Sequence, residues 1–82
     1  MRMNYRDEIV ESAELYFKAQ IKKHKINVDN LLENHIALAE HPDLMKTIED
    51  EIGVIAEYED KLNALMKHFS SSETKTKEIL NG

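Results

Sequence analysis

The chain contains no cysteine and no tryptophan, a single proline, two glycines and only 6% aromatic residues. Without cysteine, neither disulfides nor thiolate metal sites can form, and the redox compartment leaves no mark on the sequence. Scarce glycine and proline mean few turns, because these are the residues that punctuate a helical chain. Long apolar runs are also missing, and none approaches the roughly 20 residues of a membrane-spanning helix. The opening residues run into Asp7 and Glu8 rather than an apolar stretch, so no signal peptide is expected and a cytoplasmic location is. Excess positive charge is absent too. The net charge is −5, which opposes approach to phosphates and argues against nucleic-acid binding.

What is present is helix-forming. Charged residues make up 33% and apolar residues 41% of 82 residues, enough for one small all-α domain with a modest core. Val10, Phe17, Ile21, Val28, Leu31 and Leu38 recur at helical spacing, flanked by Ile9, Ala13, Tyr16, Leu32 and Ile36, and interrupted by Glu14, His24 and His35. This pattern predicts one helix over 4–40, with a break near Asn27 as the alternative. His41-Pro42-Asp43 is the clear punctuation, because proline suits a first helical turn and restricts the residue before it. A turn at 41–42 then leads into a second helix over 43–69. There Leu44, Ile48, Ile55, Tyr58, Leu62, Leu65 and Phe69 form a heptad-like stripe, with Ile52 and Met66 alongside and Glu51 its polar lapse.

Together these make residues 1–69 a long antiparallel helical hairpin. Residues 70–82 form a polar tail, either frayed or restarted as a short helix by a Ser70…Glu73 capping box. Folding at 41–42 sets Leu31 opposite Ile52, Val28 opposite Ile55, Ile21 opposite Leu62 and Phe17 opposite Met66. The same fold point sets Lys22, Lys23 and Lys25 against Glu57, Glu59 and Asp60, and Asp7 and Glu8 against Lys75 and Lys77. The residues expected in the core or interface are Val10, Phe17, Ile21, Val28, Leu31, Leu38, Ile48, Ile52, Ile55, Tyr58, Leu62, Leu65 and Phe69. Two helices cannot enclose their own apolar flanks, so a homodimer completing a four-helix bundle is expected.

No catalytic, cofactor or metal constellation stands out, and no cofactor is expected. His24 and His35 lie roughly 16 Å apart along one helix, too far to share a metal. Gly53 in mid-helix is either a tolerated surface glycine or a close crossing. Asp7-Glu8-Ile9-Val10-Glu11 with Glu57-Tyr58-Glu59-Asp60 loosely resembles the magnesium-binding half-motifs of all-alpha nucleoside triphosphate pyrophosphatases. The lysine and asparagine of that family have no counterpart here. Glu40-His41-Pro42-Asp43-Leu44-Met45, followed by Tyr58-Glu59-Asp60-Lys61-Leu62, resembles small helical proteins encoded by tailed phages of marine cyanobacteria. That resemblance implies a phage accessory protein acting on a host or phage protein, and no chemistry. A non-enzymatic interaction module is the leading expectation. A magnesium-dependent hydrolase and a phage structural or assembly component are the alternatives.

Overall fold

The computed structural model describes residues 4–34 and 43–70. Within them the chain forms two α-helices packed as a hairpin, α1 (Tyr5–Glu33) and α2 (Leu44–Phe69), and no strand. Asn4 caps α1: its backbone is extended and its Oδ1 accepts from the Arg6 amide at 3.0 Å. Asp7 and Glu8 lie in the first turn, where acidic side chains favour the positive end of the helix dipole. α2 begins after Asp43, whose carbonyl accepts from the Thr47 amide at 2.9 Å and from its hydroxyl at 3.0 Å. Lys67 and His68 in its last turn complement the opposite pole.

The helix α1 runs through Asn27 as a single element, so the alternative of a break there does not hold, and it stops at Glu33, short of the expected end at residue 40. Asn34 is its C-cap, and both the Asn34 amide and the Asn34 side chain donate to the Asn30 carbonyl, at 3.0 and 2.9 Å. Asparagine readily takes up such local backbone bonds, which compete with helix continuation. The predicted 41–42 turn, Leu38 and the tail beyond Ser70 lie outside the described residues. So do the partners expected for Asp7 and Glu8.

An earlier stop moves the pairing register. Phe17 packs against Tyr58, with ring centroids 6.0 Å apart, instead of facing Met66. His24 meets Glu51, and Arg6 Nη2 donates to the Phe69 carbonyl at 3.2 Å. The difference for Phe17 is eight residues, from 66 to 58, or about 12 Å along the helix. The expected lysine–carboxylate ladder is likewise replaced. Lys61 pairs with Glu57 in its own helix at 3.1 Å, as do Lys18 with Glu14 and Lys46 with Asp50. Among the described residues, no lysine or arginine pairs with a carboxylate of the other helix, and Glu51 is met across the seam by the His24 ring.

The interhelical seam is a regular four-three repeat on both helices. Val10, Glu14, Phe17, Ile21, His24, Val28 and Leu31 are all half-buried on α1. Leu44, Ile48, Glu51, Ile55, Tyr58, Leu62 and Leu65 are all half-buried on α2. Two residues expected in the core or interface lie outside this seam: Ile52 is 51% exposed and Phe69 53%. Glu51, not its neighbour Ile52, occupies the seam position, and Phe69 lies in the final turn of α2. No apolar side chain among the described residues is fully buried.

Candidate interaction surface

The polar residues of the seam meet one another. His24 Nδ1 lies 2.5 Å from Glu51 Oε2, and Asn27 Nδ2 donates to both Glu51 oxygens at 3.3 Å. His24 and Asn27 are three residues apart on α1 and therefore share a face, so one glutamate reaches both. The His24 and Glu51 side chains retain 17% and 22% of their exposure. The hydrogen bond from His24 holds the Glu51 carboxyl below the ordinary 4.5, against the partial burial that pushes it up, with help from Asn27 and the Lys23 charge. Such a bridge in a largely apolar seam fixes register, because sliding either helix would leave its members desolvated and unpaired.

Towards the other end, Tyr16, Phe17 and Tyr58 form an aromatic knot. Tyr16 meets Tyr58 edge-on at 6.2 Å and Phe17 at 5.9 Å, and the Lys61 ammonium sits 4.8 Å above the Tyr58 ring. Phe17 faces the seam, whereas Tyr16, one residue earlier, is 54% exposed.

Tyr16 belongs to a second repeat on α1. Tyr5, Ile9, Ser12, Tyr16, Ala19, Lys23, Ile26 and Asn30 alternate at four and three residues, and every one is exposed. The repeat has the periodicity of the seam itself, extends roughly 37 Å along the helix and contains a single charge, Lys23. Tyr5 is 80% exposed, Ile9 67% and Ile26 50%, and Leu15 on the rim of this stripe is 60% exposed. Exposed apolar surface of this kind commonly marks association sites.

The edge of the hairpin beside Leu15 is acidic. Asp7, Glu11 and Glu14 line an open groove of about 430 Å³ with Val10, Leu15, Met66 and Ser70, and Glu59 and Asp60 line another beside Ile21. Ser70 is buried there with its hydroxyl unpartnered, while Glu14 is already bound to Lys18. The described residues hold no group of three or more histidine or acidic side chains arranged to share a metal ion. Where a Cβ would stand on Gly53 there is open space, so this glycine serves no close crossing among them. No described helix is long and apolar enough to cross a membrane.

Sequence reasoning named the seam positions but overlooked both the bridge and the outer stripe. The signal for the bridge was two polar lapses, His24 and Glu51, one on each repeat. Comparison with protein-family models, curated proteins and solved structures finds no match to this chain.

Proposed function

We propose that this protein is a non-enzymatic helical interaction module that works by covering the open face of its hairpin, with a second copy completing a four-helix assembly. One observation carries the reading. The described residues bury no apolar side chain fully, yet leave nine large ones exposed. Two helices packed along a half-wet seam gain little from the hydrophobic effect, whose contribution scales with apolar area removed from water, at about 25 cal/mol per Å². A small domain without disulfides or metal commonly makes up the deficit by oligomerising.

The resemblance to cyanophage proteins adds a biological setting: an accessory protein in the bacterial cytoplasm whose assembly presents its remaining surface to a host or phage protein. Acidic edges suit a basic partner surface, because complementary potentials accelerate and orient encounter. Sedimentation equilibrium at micromolar concentration tests the reading. The expected species has twice the 9.5 kDa chain mass. A single-chain mass across the range would overturn it.

A further inference from the structure

We infer that the second copy docks on the outer stripe of α1, antiparallel to it, so that α1 pairs with its own copy across a two-fold axis near Leu15. The inference rests on the reading above and adds the face, the direction and the register of the contact.

Direction follows from charge. A parallel pairing would stack Lys23 on Lys23 of the other copy in the centre of the stripe, a like-charge contact with no acid on the stripe to offset it. An antiparallel pairing separates them. Register follows from charge and volume together. With Ile9 level with Ala19 of the second copy, Ser12 falls level with Tyr16, so at the centre of the contact large side chains meet small ones, while Tyr5 falls level with Lys23. Rows alternating in this way interdigitate. The residues rimming the stripe on its outer side are Glu8, Leu15, Lys22 and Asp29. In this register Glu8 of each copy faces Lys22 of the other, and Leu15 faces Leu15. Neither Glu8 nor Lys22 has an ion pair within its own chain among the described residues. Sliding by one heptad would set Glu8 against Asp29 instead, which repels.

The antiparallel arrangement also accounts for Leu15, an exposed leucine on no seam position, by placing it on the axis. Because the stripe lies roughly 140° round α1 from the seam, on the far side of the helix, this pairing sets the two α1 helices back to back with each α2 outermost, an extended layer of four helices.

A charge-exchange series tests this. Glu8→Lys and Lys22→Glu should each weaken the dimer about fivefold to thirtyfold by sedimentation equilibrium, since each converts two attractive pairs into repulsive ones. The double variant Glu8→Lys/Lys22→Glu should recover most of the affinity, and circular dichroism should show unchanged helicity at concentrations where each variant is dimeric. Oxidised Leu15→Cys, in a chain with no other thiol, should form a covalent dimer, whereas Asn63→Cys on α2 should not. A dimer whose affinity ignores the charge series, and whose Leu15→Cys variant forms no disulfide under oxidation, would overturn the α1 pairing alone. A monomeric parent protein would overturn it together with the dimer reading.

Discussion

α1 carries two stripes of the same periodicity, and their fates differ. The inner one, from Val10 to Leu31, is half-buried throughout against α2, and the outer one, from Tyr5 to Asn30, is exposed throughout. The inner stripe is not purely apolar: it includes Glu14, which binds Lys18, and His24, which binds Glu51. The outer stripe carries a single charge, Lys23, yet nothing covers it within the hairpin. Periodicity therefore states that a face is packable, while the matching of polar residues decides which surface it meets and in what register.

The sharpest way to break this contrast is to damage the inner stripe's partner. Leu62→Ala removes a half-buried seam leucine and should cost about 1–3 kcal/mol, below the range for fully enclosed leucines, because part of this side chain is already wet. Thermal melts followed by circular dichroism measure it, and a parent-like melt would show that the seam is not the stabilising contact.

Next comes the bridge. His24→Ala and Glu51→Ala should each destabilise, and a double-mutant cycle should return a coupling of about 1 kcal/mol, as for a partly desolvated hydrogen-bonded pair. The pH dependence sharpens the point. Glu51 has a lowered carboxyl pKa in the folded state, so its stabilisation is present above the ordinary glutamate value and is lost as pH falls through the folded one. Melts on the acid side of about 4.5 should steepen in their decline for the parent and less so for Glu51→Gln. Identical acid limbs would remove the bridge from the account.

Gly53→Ala is a smaller and opposite effect. Its Cβ would enter open space, so it should stabilise α2 by roughly 0.5–1 kcal/mol, read as a raised melting midpoint. Smallest of all is the pairing suggested by sequence alone. Lys23→Glu combined with Asp60→Lys should show additive effects within about 0.5 kcal/mol, because no ion pair joins these residues in the hairpin.

The helical class and the hairpin were legible because apolar residues recur at helical spacing with almost no glycine or proline between them. The register was not. Pro42 looked like the turning point, and the helix stop at Asn34 has no glycine or proline to announce it; it depends on a side chain and an amide both reaching the Asn30 carbonyl. Moving the helix end from 40 to 33 carries every cross-pair with it, which is why the lysine and carboxylate runs that matched in sequence do not meet in space. His24 and Glu51 each looked like a flaw while considered singly, and became a pair only at the corrected register. The outer stripe was obscured by Ser12 and Lys23, which make it read as a flank rather than a face. Ile9 and Tyr16 of that repeat read in sequence as flanks of the core stripe.

The central claim is that the open flank of the hairpin is completed by a second copy. Binding that favours the folded state makes the melting midpoint depend on protein concentration. Circular dichroism melts across a hundredfold range in the micromolar region test this directly. The midpoint should climb steadily with concentration in the parent and climb from a lower start in Glu8→Lys. A midpoint that stays fixed across the range, with full helicity at the lowest concentration, would contradict it.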